Sequence, residues 1–263
     1  MTVLDAIVLG LLQGLTEFLP ISSSGHLILF GKLLGVQNVP LAFELLTHLA
    51  TLAAVLICLR KPVLTLVKKP FQKTTLLLII ATVPTVVIFL VFKAFFESAF
   101  DGRYLPYAFG ATAVLLLASE FFGGAKKAVL SPKPTGGITV TDALILGVVQ
   151  GLSGLPGISR SGVTISAGRL LGQERKIAAE FSFLLSIPII LGSCAWGLTG
   201  GAFSLDISVW VTIAGFLAAF ISGLLCVKFM LHFVAKHSMN GFAVYLLLLT
   251  AFLILDRFWL GLF

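Results

Sequence analysis

Uninterrupted apolar runs fall at about 41–60, 74–96, 104–122, 178–199, 208–230 and 241–260. Each is close to the roughly 20 residues that a helix needs to cross a bilayer. Two further stretches, 3–35 and 140–172, are as apolar but are broken by Gly, Pro, Ser and ionisable residues. Pro156 and Gly157 in the second of them cannot sit inside a continuous helix, because proline lacks an N–H and glycine costs backbone entropy. The pattern predicts spanning helices at the unbroken runs and a helix, a break and a second helix at each of the other two.

The broken stretches are one sequence written twice. With a constant offset of 137 and no gap, DAIVLGLLQGLTEFLPISSSGHLILFGKLLG (5–35) lies on DALILGVVQGLSGLPGISRSGVTISAGRLLG (142–172), identical at 16 of 31 positions. With one residue dropped the register continues, so that Ala42-Phe43-Glu44 meets Ala178-Ala179-Glu180. Each half is then one broken segment followed by three spans, an odd number, which turns the second half over relative to the first, as in many transport folds. Irregular backbone at membrane depth is tolerated only where protein buries it or a wet cavity faces it. The expected fold is therefore an all-α polytopic membrane protein with an inverted-topology repeat, each half a re-entrant helical hairpin plus three transmembrane helices. It forms a single integral membrane domain over 1–263, with repeat 1 at about 1–125 and repeat 2 at about 138–263.

Composition agrees with that reading. The chain is 58% hydrophobic and 11% charged with a mean hydropathy of +1.10, whereas soluble domains carry roughly a quarter charged residues. Its 18 basic and 11 acidic side chains cannot cover a particle of this size in water. The net charge of +7 concerns which loops hold it rather than nucleic acid, which is not an expected partner. Loop 60–73 carries Arg60, Lys61, Lys68, Lys69 and Lys73; loop 123–139 adds Lys126, Lys127 and Lys133; the 228–240 turn adds Lys228 and Lys236; and 169–176 adds Arg169, Arg175 and Lys176. Placing these 13 of 18 basic residues inside satisfies the positive-inside rule and puts both termini outside. The apolar N-terminus has no basic leader and carries Asp5, Gln13 and Glu17, unlike a cleaved signal. Cys58, Cys194 and Cys226 are scattered singly, as packing residues. Lys32 and Arg169, where each hairpin returns to the interface, are expected to snorkel.

The chemistry lies where the two copies differ. The first keeps a carboxylate, Glu17 opposite Gly154, and an imidazole, His26 opposite Val163; the second keeps a guanidinium, Arg160 opposite Ser23. In the second tip, Ser159-Arg160-Ser161-Gly162 follows the Pro156-Gly157 break and opens a helix, so backbone N–H groups there suit phosphate oxygens, and Arg160 adds a bidentate fork. An Arg at membrane depth is costly and points to function, although one that only satisfies carbonyls or pairs with Glu17 fits the same position. In the first tip, Gln13 and Glu17 share a helix face. Glu17 there serves to bind a divalent cation, orient His26 or balance Arg160. Ser22-Ser23-Ser24-Gly25-His26 contains the parts of a serine nucleophile activated by histidine. Glu44 and His48 are also four apart, with Glu180 matching Glu44, and read as structural. Inverted repeats with broken helices also suit a secondary transporter or translocase of a lipid phosphate.

QGLTEFLPISSSGH together with LPGISRSGVT, in two halves of so apolar a chain, resembles the bacterial undecaprenyl-diphosphate phosphatases of the bacitracin-resistance type, over nearly the whole length. The resemblance implies hydrolysis of the C55 isoprenoid diphosphate to the monophosphate and inorganic phosphate, recycling the carrier used for peptidoglycan. It further implies a plasma-membrane enzyme with a site opening to the outer face and a need for Mg²⁺ or Ca²⁺; a homodimer is compatible with it. The family's E/Q-x-x-x-E motif falls on Gln13 and Glu17, the metal candidates, with one carboxylate fewer than the two-acid form. The family's serine-rich turn and histidine fall on Ser22, Ser23, Ser24 and His26, and its PGxSRSxxT motif runs from Pro156 to Thr164. Catalysis is then expected from Glu17, Ser23, His26 and Arg160, with Ser22, Ser24, Gly157, Ser159, Ser161, Gly162 and Thr164 around the phosphates. Ser23 is the preferred nucleophile with His26 as base and then acid; attack by His26, or by water that His26 activates, stays open.

Overall fold

A computed structural model describes residues 1–36, 39–123, 137–199 and 208–261. Among these residues the fold is all-helical, with eleven α-helices. In the first half they are α1 (Val3–Thr16), α2 (Ser23–Leu33), α3 (Leu41–Cys58), α4 (Arg60–Lys68), α5 (Lys73–Ser98) and α6 (Leu105–Phe122). In the second they are α7 (Val140–Leu152), α8 (Arg160–Leu170), α9 (Arg175–Thr199), α10 (Val209–Lys236) and α11 (Asn240–Leu255). Six helices, α3, α5, α6, α9, α10 and α11, are long and apolar enough to cross a membrane, so the chain is a multi-pass membrane protein.

Both broken stretches fold as predicted locally, helix, break, helix, with the breaks at 17–22 and 153–159. Each opens with the same capping box: Thr2 Oγ1 accepts from Asp5 N while the Asp5 carboxylate accepts from Thr2 N, and Thr139 and Asp142 repeat the exchange. These caps satisfy backbone N–H groups that a helix start leaves open. With 14 residues in α1 and 13 in α7, each first helix rises only about 20 Å, short of a roughly 30 Å hydrocarbon core.

The halves interlock reciprocally. α1 packs along α10, and α7 packs along α5. Small-xxx-small pairs at equivalent positions allow this: Gly10 and Gly14 lie against Gly215, Ala218, Ala219, Ser222 and Gly223, while Gly147 and Gly151 lie against Ala81, Pro84 and Ile88. Such pairs let membrane helices approach backbone to backbone. A polar clamp secures the second contact, with Thr85 Oγ1 donating to Gly147 O at 2.8 Å and Gln150 Nε2 donating to Thr85 Oγ1 at 3.2 Å. α6 pairs with α11 and α3 with α9. Within this frame α8 is buried from Ser161 to Arg169 despite its polar sequence, and the tips of both broken segments meet inside the bundle.

Three details differ from expectation. The segment after α3 is not simply a loop, because Arg60–Lys68 forms α4. The 228–240 turn is shorter than expected, since α10 continues to Lys236 and carries Lys228 with it. Arg169 does not snorkel: its residue is 3% exposed and its guanidinium is ion-paired with Glu120, whose other oxygen takes Arg175 at 2.5 Å. A carboxylate at the end of α6 outcompetes the interface for Arg169, a contact that local sequence spacing does not show. Lys32, in contrast, is exposed and donates to Asp101 O at 3.3 Å. Lys126, Lys127 and Lys133 lie outside the described residues.

Candidate active site

The two breaks bring their polar residues together because the tips touch through glycine. A Cβ on Gly25 would sit 3.0 Å from Gly157 Cα and closer still to the Phe109 ring. Gly157 itself has φ of 95° and faces Ala108, a left-handed backbone that favours glycine. Ser22 ties the tips: its Oγ accepts from Gly157 N at 3.2 Å and from Gly25 N at 3.4 Å, capping α2. It does so at φ of 72°, the one left-handed non-glycine residue among those described. Strain of this kind costs on the order of 1–3 kcal/mol and persists only where the surroundings impose it.

Glu17 is the hub. It is buried at the end of α1, and one oxygen is ion-paired with the Arg160 guanidinium from the opposite tip. The other oxygen accepts from Ser23 Oγ at 2.6 Å and from Gln13 Nε2 at 2.9 Å. His48 Nε2, from α3, stands 3.6 Å from that same oxygen. His48 Nδ1 lies 2.7 Å from Glu44 O; a carbonyl only accepts, so Nδ1 carries the proton and Nε2 is the nitrogen turned toward Glu17. Two atoms of this cluster, Gln13 Oε1 and Arg160 Nη1, are buried with no hydrogen-bond partner among the described residues. One is an unmet acceptor and the other an unmet donor, as in a site shaped for a further group.

The hydrogen bonds pair Ser23 with Glu17 rather than with His26. His26 is buried with Nδ1 at 2.7 Å from Ser22 O and Nε2 at 2.7 Å from Tyr245 OH on α11. Its ring packs edge-on against Phe109 and stacks on Tyr245. It thus supports the strained Ser22 turn. Ser24 Oγ lies 3.3 Å from Ser22 Oγ.

The remaining second-tip residues hold the tips in place. Ser159 caps α8 by accepting from Gly162 N at 3.1 Å, while its own N–H donates to Thr112 Oγ1 at 3.1 Å. Ser161 Oγ reaches across to Leu19 O at 3.1 Å, and Thr164 Oγ1 lies 2.6 Å from Ser182 Oγ. The N–H groups of Gly157, Ser159 and Gly162 are therefore engaged by side-chain oxygens, and the group left facing Glu17 and Ser23 is Arg160. The residues brought together are Gln13, Glu17, Ser23, His48 and Arg160; Ser22, His26 and Tyr245 form an adjoining network. His48, Tyr245 and Thr112 were not among the expected site residues. The four-residue spacing of Glu44 and His48 was the one available signal.

Among the described residues no three His, Cys, Asp or Glu side chains gather closely enough to hold a metal by themselves. The oxygen donors present are Glu17, the Ser23 hydroxyl and the unpartnered Gln13 Oε1. This set fits Mg²⁺-type use, in which one or two protein oxygens share the cation with substrate phosphates.

A family model described as "Bacitracin resistance protein BacA" matches residues 6–252. An "Undecaprenyl-diphosphatase" of Carboxydothermus hydrogenoformans is 43% identical over 250 residues, covering 93% of this chain and 94% of that protein. Proteins of the same name from Christiangramia forsetii and Elusimicrobium minutum are 41% identical over 259 residues and 38% over 263, covering 93% and 97% of this chain and 94% and 98% of their own. Together with the all-helical membrane fold and the paired tips, these matches show that the chain belongs to the bacitracin resistance protein BacA family.

Proposed function

We propose that this protein is an integral membrane undecaprenyl-diphosphatase, hydrolysing the lipid diphosphate to undecaprenyl phosphate and inorganic phosphate. The single observation that carries the site assignment is the sharing of Glu17 between Arg160 and Ser23, with Arg160 Nη1 unpartnered beside them. The guanidinium binds the terminal phosphate and stabilises charge that develops on its oxygens, the main source of catalysis in phosphoryl transfer. Arriving phosphate competes with Glu17 for Arg160, which releases the carboxylate to accept the Ser23 proton. Ser23 Oγ then bonds to the terminal phosphorus, and the bond from phosphorus to the bridging oxygen breaks. Undecaprenyl phosphate leaves with that oxygen. Water next attacks the phosphoserine; the bond from phosphorus to Oγ breaks, inorganic phosphate departs and Ser23 regains a proton. His48 Nε2 is placed to exchange protons with Glu17 through these steps. Glu17 and Gln13 Oε1 would hold a divalent cation, which would supply further charge neutralisation on the phosphate oxygens.

The architecture that supports this reading is an inverted repeat of two re-entrant hairpins within one integral domain, repeat 1 at about 1–125 and repeat 2 at about 138–263. The reciprocal seating of α1 on α10 and α7 on α5, through glycines 137 positions apart, supports it. The basic end of the bundle at 60–73 and 169–176 faces the cytoplasm of a bacterial plasma membrane, and the site opens to the other side. Phosphate release from undecaprenyl diphosphate by the purified protein in detergent tests the proposal. Turnover that Arg160→Ala and Ser23→Ala both abolish is the expected result. Movement of the lipid across sealed liposomes without phosphate release would instead make the protein a translocase.

A further inference from the structure

The segment between α3 and α5 carries a feature that the phosphatase site does not use. α4 runs over nine residues, RKPVLTLVK, and none of them is buried. It joins two spanning helices at the same end of the bundle and, at nine residues, is too short to cross the bilayer. At about 100° per residue, Val63 and Leu66 fall on one side, where they pack against the main core. Leu64 and Val67 fall on the adjoining side and are turned outward, 53% and 72% exposed, with the exposed Arg60 on the same side at the start of the helix. Lys61, Thr65 and Lys68 occupy the third. Phe71, just beyond the helix, is 88% exposed.

Within 60–73 charge is of one sign. Arg60, Lys61, Lys68, Lys69 and Lys73 are exposed, and the stretch 60–73 holds no acid. None of the five makes an ion pair with a described residue. Cys58 Sγ lies 3.7 Å from Leu224 O, which sets the exposed Lys228, one turn further along α10, at the same end. An outward apolar strip edged by unpaired lysines is the pattern of an in-plane helix that sinks its apolar side to the acyl boundary and holds its ammonium groups among headgroups. The equivalent connection in the second half, at 200–207, holds Asp206 and no basic residue, so the feature belongs to one membrane face only.

We propose that α4 with Lys68, Lys69, Phe71 and Lys73 is a binding surface for anionic phospholipid headgroups, a site separate from the one that takes the lipid diphosphate. Purified protein in mixed micelles of phosphatidylglycerol and phosphatidylcholine, followed by native mass spectrometry, reads the lipids retained. The wild-type protein is expected to retain phosphatidylglycerol preferentially. Each lysine near an anionic surface contributes about a fivefold preference, so Lys61→Gln, Lys68→Gln and Lys69→Gln combined reduce it by on the order of 100-fold at low salt. Phosphate release in detergent stays at the wild-type rate in that variant, which separates failure of this surface from failure of the phosphatase reading. Equal retention of the two lipids by the wild type, an undiminished preference in the triple variant, or loss of the preference on adding millimolar inorganic phosphate would each overturn the proposal. A Val67→Trp variant tests the apolar side: brominated acyl chains should quench the added fluorescence relative to the parent, and no added quenching would place α4 off the membrane.

Discussion

Arg160 and Glu17 lie 143 positions apart in the chain and form an ion pair between the two tips, with side chains 13% and 5% exposed. A pair so enclosed contributes little net stability as a unit, yet removing one partner strands the other charge at a cost of about 3–5 kcal/mol. Arg160→Ala and Glu17→Gln should therefore each lower the unfolding temperature in detergent. The double variant should recover part of the loss, because neither charge is then left alone. All three should lack phosphatase activity. Single variants as stable as the wild type, or a double variant with the two losses simply added, would show that the charges are not coupled.

The hydrogen bonds separate two histidine-containing networks, and the separation can be measured. Ser23→Ala removes the hydroxyl that donates to Glu17 and should abolish turnover at a cost in stability of about 1.5–3 kcal/mol, the worth of a hydrogen bond to a charged group. Tyr245→Phe deletes the partner of His26 Nε2 and should act only through positioning, with kcat reduced by about threefold to tenfold, the worth of one neutral hydrogen bond. Were His26 the base for Ser23, Tyr245→Phe would also displace the pH dependence of kcat. An unshifted profile is expected.

Much of the fold was legible because hydrophobic runs and a direct repeat are local or linear signals. The six spans and both helix breaks follow from runs of apolar residues, from Pro156-Gly157 and from the 137-residue register. The candidate site was legible to the extent that the two copies diverge, which singled out Glu17 and Arg160, the pair that the fold brings together, and His26 in the network beside them. What the sequence could not carry was direction. Ser23 and His26 are three residues apart, yet α2 turns the serine toward Glu17 and the imidazole toward Tyr245 on the last spanning helix. His48 was visible beside Glu44, but its approach to Glu17 depends on how α3 packs against α1. Arg169 was misread for the same reason, since Glu120 lies on another helix.

The glycines that seat each first helix on the opposite half make a paired prediction. A Cβ on Gly14 would overlap Ser222 Oγ and Ala219 O and fall 2.6 Å from Gly223 N, and one on Gly151, its repeat equivalent, would fall 2.8 Å from Ile88 Cβ. Gly14→Val meets backbone and must push α1 away from α10, whereas Gly151→Val meets a side chain that has rotamers to spare. Overpacking typically costs 1–3 kcal/mol, and Gly14→Val should fall at or above the upper end and Gly151→Val toward the lower. Thermal unfolding of the two variants in the same detergent gives the comparison; the reverse order would mean that the α1–α10 contact is looser than the α7–α5 contact.

His48 offers the sharpest test of how Glu17 is used. Its Nδ1 is held by Glu44 O, so Nε2 faces the carboxylate oxygen that Ser23 also contacts. If the imidazole exchanges protons with Glu17, His48→Ala should lower kcat by roughly 10²-fold, the lower range for a positioned acid or base, with KM little changed. His48→Gln keeps a hydrogen-bonding group at the same reach but no exchangeable base. It should recover stability and KM while leaving kcat depressed. Recovery of kcat by His48→Gln would assign the residue to orienting Glu17 alone, since an amide can orient a carboxylate but cannot relay its proton.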